Sequence, residues 1–445
     1  MTTHPPPVSR RERGIALAIV MLVIAITLVM SSDFGTETTT DLLAAANYRD
    51  QMRAHFLARS ALNFGQIIIH IQSQLDSTSN SKTVNLTQIT DYADQLMAPF
   101  CGSAGEVKDT IGFTTNEIKG LTADVGTCGF NGPITTDDDK LNLNCANTSS
   151  QGVIQAALFA LIYPIAYDGL FNDNDAEGWH RDRETQVAAF IDYIDTNTMH
   201  LSQRGTTEDY GYENLKDRYY PKDSAVGHHT GNYVDTIGEL KLVRGVDDRF
   251  WTLFGAAMTV YGGCKINMSY ATNPQLIAAV LYLSAQNQND PVVLDPKRLF
   301  LLAGYVAKAR EFGETFGSNG DFINFVKDPS SAVQMIASQD QGTLSGSAAS
   351  AALSQGLPGL SGGEKIGLVL DPNHFSQIAQ VTQVRRTYRV QAYGEIERAQ
   401  KNKDNSAVFP SIRSTYNGVW DTKVVPQNVR KPPVPNGAWV FLRED

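Results

Sequence analysis

An uninterrupted apolar segment near the N-terminus constrains this chain more than any other sequence feature. The residues from Ile15 to Met30 include one polar side chain, Thr27, and no charged one. As a helix they rise ~24 Å, slightly less than the ~30 Å hydrocarbon core of a bilayer. With the flanking serines the helix spans that core at a modest mismatch cost. The segment follows a polar and basic stretch that ends at Gly14, and it predicts a membrane-spanning helix.

The helical pattern continues beyond the apolar segment. A secretory signal peptide ends at a cleavage site flanked by small residues, and Ser31-Ser32-Asp33 does not provide a convincing one. Between Met52 and Leu75, apolar residues recur every three to four positions, which predicts one buried helix face. We therefore expect a membrane helix that runs into a long, half-buried helix and is loosened near Gly35.

Composition and charge exclude some classes of function. The 445 residues suggest two or three domains, and 42% of them are hydrophobic whereas 19% are charged, so the chain is not disordered throughout. The net charge of −10 repels nucleic-acid phosphates, so nucleic acid is not an expected partner.

Four cysteines occur without a CxxC pair, which argues against zinc and permits two disulfides in an exported domain. Three pairings can be drawn, and the sequence does not choose among them. Buried free thiols are the alternative. The four residues are Cys101, Cys128, Cys145 and Cys264.

The rest of the chain changes character along its length. Residues 76–150 are polar and turn-rich with short strand-like pieces, and 151–341 read mainly as helices. Residues 342–363 are rich in Gly, Ser and Ala, which is typical of a flexible linker. Within 364–445, alternation over 387–396 and an apolar run over 437–442 predict strands. Strands before and after a helical block predict an inserted helical domain.

One acidic loop has the spacing of an EF-hand calcium site. Asp173, Asp175 and Glu177 take its first, third and fifth positions, Gly178 takes the sixth, and Glu184 takes the twelfth. Calcium prefers such hard oxygen ligands, and the glycine makes the sharp turn. Two features disagree, because the fifth position is usually Asp or Asn and the ninth position is an arginine. The alternative is a solvated acidic loop that precedes a helix.

The basic leader, the glycine, the apolar helix and its amphipathic continuation together resemble the type IV pilin family. In that family a prepilin peptidase cuts after the glycine, which implies cleavage between Gly14 and Ile15, together with methylation. Pilins usually carry Glu at mature position five, where this chain has Ile19. The absence of that Glu resembles the K pseudopilin of type II secretion, the GspK family. It implies a subunit at the filament tip, which has no neighbour above it.

Further segments resemble the first helix and the helical block of the same family: 42–50, 56–61, 239–246 and 266–271. Arg59 stands where the family more often has an acidic residue, and Tyr270 stands where it usually has Thr. The resemblance does not cover 286–363.

A second acidic cluster resembles the calcium-binding pattern of K pseudopilins. Segments 192–197 and 205–210 are similar to that family's DWIDxD and GxEDxxY patterns. A carboxylate-rich helix end opposite an acidic loop repels itself without a cation, and the alternative is a helix cap beside a surface loop. The resemblance implies these calcium ligands: Asp195, Asn197, Glu208 and Asp209, with Asp192 as a further candidate.

The resemblance implies an α+β fold in which a pilin-like long N-terminal helix packs on a small antiparallel sheet and a large, mostly helical domain is inserted. It implies a single-pass inner-membrane protein with its bulk in the periplasm. The expected divisions are a leader at 1–14, a membrane and filament helix at 15–75, a sheet region at 76–150, an insert at 151–341, a linker at 342–363 and a second sheet region at 364–445.

The implied function is non-enzymatic. The chain would nucleate the type II secretion pseudopilus, which exports folded proteins from the periplasm across the outer membrane. The implied partners are the minor pseudopilins I and J, the major pseudopilin, the prepilin peptidase and inner-membrane lipid, with calcium as the cofactor.

Alternative interpretations remain open. One is a signal anchor with an unrelated periplasmic domain, and another is a minor pilin of a type IV pilus. A third is a membrane-anchored periplasmic hydrolase, because Ser361 lies in a G-x-S-x-G pattern. A nucleophile elbow needs a strand before the serine and a helix after it, whereas Ser361 lies in the Gly/Ser-rich linker. Adjacent side chains rarely point the same way, so the doublet His228-His229 predicts no metal site.

Overall fold

A computed structural model of the chain describes residues 10–78, 89–101, 126–174, 178–195, 199–201, 233–311, 316–329, 367–397, 411–424 and 437–445. The fold is α+β, as predicted. A long N-terminal helix precedes a first short strand, a largely helical stretch follows, and longer strands close the chain.

The N-terminal helix, α1, extends from Arg10 to Thr78 without interruption. The long helix predicted over 15–75 is therefore confirmed, whereas the loosening predicted near Gly35 is absent. Threonine hydroxyls around the glycine donate back into the helix: Thr38 Oγ1 lies 2.7 Å from the Phe34 carbonyl, and Thr39 Oγ1 lies 3.0 Å from the Gly35 carbonyl. These bonds keep the threonine side chains within the helical hydrogen-bond pattern.

Shorter helices follow, and several begin with a side-chain cap that accepts a hydrogen bond from the first turn. Asn273 does so at 2.9 Å from the Gln275 amide, with a proline at the next position. The helices are α2 Ala93–Cys101, α3 Gln151–Ile162, α4 Arg183–Ile194, α5 Asp248–Phe254, α6 Pro274–Ser284, α7 Pro291–Leu294, α8 Pro296–Glu311, α9 Asn319–Lys327 and α10 Pro372–Ile378. The 3₁₀ helices are Ile89–Tyr92, Leu143–Asn147, Ile165–Leu170, Ile237–Leu242 and Gly255–Ala257.

Among the described residues, the strands form one four-stranded sheet and three two-stranded ones. The four-stranded sheet has the order β1-β8-β9-β10, so a strand that precedes the helical stretch pairs with one that follows it. The strands are β1 Thr127–Phe130, β2 Leu141–Asn142, β3 Asp173–Asn174, β4 His180–Arg181, β5 Met258–Thr259, β6 Ile266–Asn267, β7 Ala379–Gln380, β8 Thr387–Ile396, β9 Ile412–Asp421 and β10 Ala438–Glu444.

The chain divides into two compact units. The first contains Met1–Ala61, Met97–Gly129 and Ala392–Thr415, and the second contains the remainder. Within the first unit, α1 meets β8 through small residues. A Cβ added to Gly394 would lie 2.3 Å from the Ala54 carbonyl oxygen and 2.4 Å from the Ala58 nitrogen. Both alanines are fully buried. The backbones of the helix and the strand are therefore so close that no side chain fits between them at Gly394.

The second unit, with Leu62–Leu96, Phe130–Gln391 and Tyr416–Asp445, holds the large hydrophobic core. Helix α6 packs against α3, α8 and α10. The end of α1 packs on the sheet here too, because Gly65 faces the Phe130 ring and Val390. The largest fully buried side chains of this core include Phe190, Phe250, Phe254, Phe322 and Phe375.

We expect Gly394→Ala to lower the stability by about 1–3 kcal/mol, because a methyl group cannot enter this contact without displacing the helix. The measurement is thermal or denaturant unfolding of the full chain in detergent. Gly152→Ala is the matched control: nothing lies within 4 Å of its added Cβ, and alanine is favoured over glycine in a helix by up to about 1 kcal/mol. Equal effects of the two substitutions would contradict the close packing of α1 on β8.

Candidate functional site

The segment Ile15–Met30, near the start of α1, exposes a continuous apolar surface. Ile15, Ile19 and Met30 are 62%, 57% and 67% exposed, and the large side chains between them are similarly open. Within the described residues, this is the one helix that is long and apolar enough to cross a membrane, by length and composition alone. A helix satisfies its backbone hydrogen bonds internally, so it can enter hydrocarbon without leaving polar groups unpaired. This surface suits lipid tails or other apolar helices.

The proposed processing residues lie on this helix. Gly14 and Ile15 are both part of α1, and Ile19, where pilins carry Glu, has no charged side chain to neutralise a neighbouring amine. Gly14 thus lies within α1, and Ile15 and Ile19 lie at the start of its exposed apolar surface. Cleavage itself stays a prediction.

The EF-hand-like loop is partly described. Asp173 lies on β3 and Glu184 in the first turn of α4, both exposed, whereas Asp175 and Glu177 lie outside the described residues. Gly178 has φ of +86°, the left-handed conformation that glycine permits. The ladder pairs Asp173 with Arg181, and the Asn172 amide donates to the Arg181 carbonyl at 2.6 Å. The loop is therefore closed by a short antiparallel hairpin.

Arg181, at the ninth position of this loop, turns inward. Its Nη1 lies 3.2 Å from Oδ2 of Asp247, and its guanidinium carbon lies 5.7 Å from the ring centroids of both Phe171 and Phe250. Asp182 accepts a hydrogen bond from the Thr185 amide at 2.7 Å and so caps α4. Arg181 and Asp182 are thus both engaged in contacts within the fold, and calcium at this loop stays a prediction.

The second predicted calcium cluster is also partly described. Asp192, on α4, is fully buried, and its two carboxylate oxygens each lie 3.1 Å from the Leu201 amide. Its Oδ2 lies 3.5 Å from Nδ1 of His200. Asp195 is the C-cap of α4, and its Oδ2 accepts a hydrogen bond from the side-chain Nε2 of Gln151 at 3.4 Å.

The structure thus brings Asp192 and Asp195 to the same end of one helix. Asn197, Glu208 and Asp209 lie outside the described residues. Within the part of the chain that is described, no group of three or more His, Cys, Asp or Glu side chains is placed to hold a metal. Calcium binding at this cluster stays a prediction.

The acidic turn, Asp137–Asp139, contains two buried carboxylates, Asp137 and Asp138, whose contacts the sequence did not indicate. The Asp137 carboxylate accepts hydrogen bonds from Arg389 Nε at 3.1 Å, Lys140 Nζ at 2.6 Å and Thr259 Oγ1 at 3.2 Å. Burial raises the pKa of Asp137, but Lys140 and Arg389 outweigh it, so this pKa lies below its usual value. Asp137 is therefore ionised and paired on both sides.

Asp138 in the same turn fixes the start of β8. Its carboxylate accepts hydrogen bonds from the Arg386 amide at 2.5 Å, the Thr387 amide at 3.2 Å and the Thr387 hydroxyl at 2.9 Å. Its backbone carbonyl accepts from the Asn267 amide at 2.7 Å. The acidic turn thus joins the segments around β5, β6 and β8, which are more than a hundred residues away in sequence.

Arginines next to Asp138 extend this network. Arg386 forms a bidentate pair with Asp421, with Nε lying 2.9 Å and 3.1 Å from the two oxygens. Arg385 lies 4.4 Å over the ring of Tyr270, and its Nη1 lies 2.8 Å from Thr90 Oγ1. Tyr270 therefore has a stacking role at the position where the resembling family has Thr. The clustered arginines of 385–389 were the sequence signal that could have indicated this network.

The four cysteines form two disulfides, which resolves the pairing left open by the sequence. Cys101 is bonded to Cys128, and Cys145 is bonded to Cys264. The alternative of free thiols is therefore wrong for this structure. Ser361 and the His228-His229 doublet lie outside the described residues, so no geometry bears on the hydrolase alternative.

No protein-family model and no curated protein matches the chain. Among solved structures, the chain is similar to GspK in the crystal structure of the GspK-GspI-GspJ complex from the enterotoxigenic Escherichia coli type 2 secretion system. The match covers 91% of this chain and 99% of that chain, with 11% sequence identity and a TM-score of 0.44.

We expect Asp137→Asn to lower the stability by about 3–5 kcal/mol at neutral pH, because it leaves Arg389 partly buried without its counter-charge. Since the folded-state pKa of Asp137 lies below its value of 3.8 in the unfolded chain, this contribution is present above that pH and is lost as the pH falls below it. The difference between wild type and variant in denaturant unfolding should therefore shrink at acidic pH.

Arg443→Gln is the control for this charge change. Arg443 pairs with Asp445 at the surface, and an exposed pair contributes less than about 1 kcal/mol. A loss at Asp137→Asn no larger than at Arg443→Gln would contradict the buried ion pair.

Proposed function

We propose that this protein is a minor pseudopilin of the K type, held in the inner membrane by α1 and assembled at the tip of a type II secretion pseudopilus. The observation that carries the proposal is the division of α1. One continuous helix exposes an apolar segment, Ile15–Met30, and packs its later turns, around Ala54, Ala58 and Gly65, on a small antiparallel sheet.

The exposed apolar segment of α1, Ile15–Met30, supports membrane anchoring. An apolar surface of this length is unfavourable in water, at roughly 25 cal/mol for each Å² of apolar area. Lipid before assembly, and the apolar helices of other subunits after it, would each remove that surface from water. The same surface therefore serves both stages of pilin assembly.

The disulfides support a periplasmic location for the bulk of the chain. Disulfides persist in oxidising compartments and are rare in a reducing cytosol. Both bonds lie C-terminal to the apolar segment, as expected if the residues after it are exported.

Ile19 supports the tip position. Inside a bundle of apolar helices, an unpaired charge costs several kcal/mol. A shaft subunit offers its Glu to the free amine of a neighbour, whereas a tip subunit has no such neighbour and is better served by an apolar side chain. The sequence resemblance implies the minor pseudopilins I and J as the subunits that it meets, with the prepilin peptidase as its processing enzyme.

Ile19→Glu tests the tip position. We expect cells that carry it in place of the wild-type chain to secrete at least tenfold less, because the carboxylate enters an apolar bundle with no amine to pair with. Ile19→Leu keeps the apolar side chain and should secrete normally. The readout is the amount of secreted protein, together with the position of a label on the chain in isolated pseudopili.

A label at one filament end, together with a defect confined to Ile19→Glu, agrees with the proposal. A label along the whole shaft, or normal secretion with Ile19→Glu, would overturn it. Labelling of surface pili instead of pseudopili would favour the minor pilin of a type IV pilus.

We further propose that calcium stiffens the helical insert through the acidic end of α4. Calcium should raise the melting temperature of the full chain in detergent relative to EGTA, because a ligand that binds the native state stabilises it by mass action. Asp195→Asn should reduce this rise. Asp248→Asn, at an exposed carboxylate on α5, is the control and should retain the full rise. Equal melting temperatures in calcium and EGTA would remove the calcium proposal while leaving the pseudopilin proposal intact.

A further inference from the structure

A groove on the helical stretch exposes aromatic side chains to solvent. It consists of two neighbouring hollows with volumes of about 250 Å³ and 330 Å³, and Ala160 and Tyr282 line both. Helices α3 and α6 contribute to both hollows, and α7 and α8 contribute to the first. All of these helices belong to the second compact unit. We call the two hollows, together with the rings of Phe159, Tyr163 and Tyr282 that line them, the aromatic groove.

The three aromatic rings of the groove follow one another in a row. The ring centroids of Phe159 and Tyr163 are 5.6 Å apart, and those of Tyr163 and Tyr282 are 6.0 Å apart. The interplanar angles are 37° and 30°, so the rings are closer to parallel than to perpendicular. Phe159 is 38% exposed and Tyr163 is 51% exposed. The row is therefore open to a partner that packs against aromatic rings.

The size of the hollows favours a protein segment over a small molecule. Their volumes lie at or just above the lower end of the ~300–1,000 Å³ that is typical of small-molecule sites, or below it. Ile165 and Leu294, which line the first hollow, are 74% and 66% exposed. A molecule small enough for the hollow would leave these side chains in water, whereas a longer chain would cover them.

The polar side chains of the groove favour an extended segment over a helix. Gln155 lines the second hollow and Gln288 lines the first, and both are exposed. One N–H of Gln288 donates to the Tyr282 carbonyl at 3.0 Å, which holds this amide beside the hollow and leaves its second N–H for another acceptor. A helix pairs its own carbonyls, whereas a polyproline II segment leaves its carbonyls without internal partners. Grooves lined by aromatic side chains are a recurring way of binding proline-rich segments.

Charge narrows the choice of segment further. Of the described residues that line the two hollows, Glu184 is the only charged one, and it is exposed. A carboxylate in an otherwise uncharged groove attracts a basic residue in the bound segment and repels an acidic one.

We propose that the aromatic groove binds a proline-rich segment of a partner protein that carries a basic residue beside its prolines. The prolines pack against Phe159, Tyr163 and Tyr282, the glutamine amides donate to carbonyls of the segment, and the basic residue meets Glu184. The proposal goes beyond the secretion role, because the groove includes no residue of α1. Its failure would leave the pseudopilin proposal intact.

The test uses two fluorescently labelled synthetic peptides, a proline hexamer that ends in arginine and the same hexamer that ends in glutamine. Fluorescence anisotropy follows their binding to the full chain in detergent, in EGTA so that calcium does not compete for Glu184. We expect saturable binding of both peptides, with the arginine peptide bound about threefold more tightly at low salt, as for an exposed ion pair. Glu184→Gln should remove this difference and leave the affinity for the glutamine peptide unchanged.

Tyr163→Ala tests the row of rings. It should weaken the binding of both peptides about tenfold, because truncating an aromatic side chain in an interface removes a large part of the contact. Tyr233→Ala is the matched control: Tyr233 is 56% exposed and lines neither hollow, so binding should be unchanged. Thermal melts of both variants show whether they are folded, and the titration of wild type needs no variant.

No binding of either peptide to the wild-type chain, or the same affinity in Tyr163→Ala as in wild type, would overturn the inference. Binding of a leucine-rich amphipathic helix that Tyr163→Ala weakens, without binding of the proline peptides, would overturn it in favour of a helical partner. A dimer of the full chain that Tyr163→Ala dissociates, again without peptide binding, would overturn it in favour of a second copy.

Discussion

One continuous helix, α1, has to suit two environments. Its apolar segment suits lipid or other apolar helices, and its later part packs on the sheet. The segment Ile15–Met30 of α1 is apolar on all sides, which suits hydrocarbon or a bundle of similar helices. The second half carries small residues on one face, where Ala54, Ala58 and Gly65 let the sheet approach. Because small side chains set the distance between backbones, a larger one at any of these positions would displace the helix from the strands.

The helical stretch interrupts the sheet, so its connections need to be held. The Cys145–Cys264 disulfide closes a span of 119 residues, and a loop of about that length is worth roughly 4–5 kcal/mol if the effect is mainly on the unfolded chain. The acidic turn acts on the same junction, through Asp138 to Asn267 and through Asp137 to Arg389. Buried ion pairs add little net stability and more often select one arrangement over others. We interpret the disulfide as a source of stability and the charges as a source of precise alignment.

The sequence was most informative where one local pattern repeated over many residues. The periodicity of α1 predicted its helix, and alternation over 387–396 predicted β8 with the same bounds. Strand β9 was not predicted, because Asn417 and Gly418 interrupt its alternation. The ionic contacts of the acidic turn were not predicted, since its partner Arg389 lies about 250 residues away in sequence. Long-range pairing of this kind leaves no local pattern, and the same reason kept the disulfide pairing open.

The candidate calcium residues show the limit of a spacing argument. The twelve-residue pattern from Asp173 to Glu184 fits a calcium loop by residue type, yet Arg181 within it turns inward to Asp247 and closes a hairpin. Residue type and spacing do not show which side chains in a loop are engaged in other contacts of the fold. Asp182, for example, is engaged as the cap of α4. The burial of Asp192 was equally invisible in the sequence, since an acidic residue on a helix is usually exposed.

The central claim is that the exposed apolar segment of α1, Ile15–Met30, packs against the helices of other pilin-like subunits. Site-specific photo-crosslinking in secreting cells tests it most directly. A photoreactive residue placed at Ile24, on the exposed apolar surface, should crosslink to another pilin-like subunit. The same group at Lys327, at the exposed end of α9, should not. Adducts to lipid alone at Ile24 and at its apolar neighbours, in cells that are actively secreting, would contradict the account.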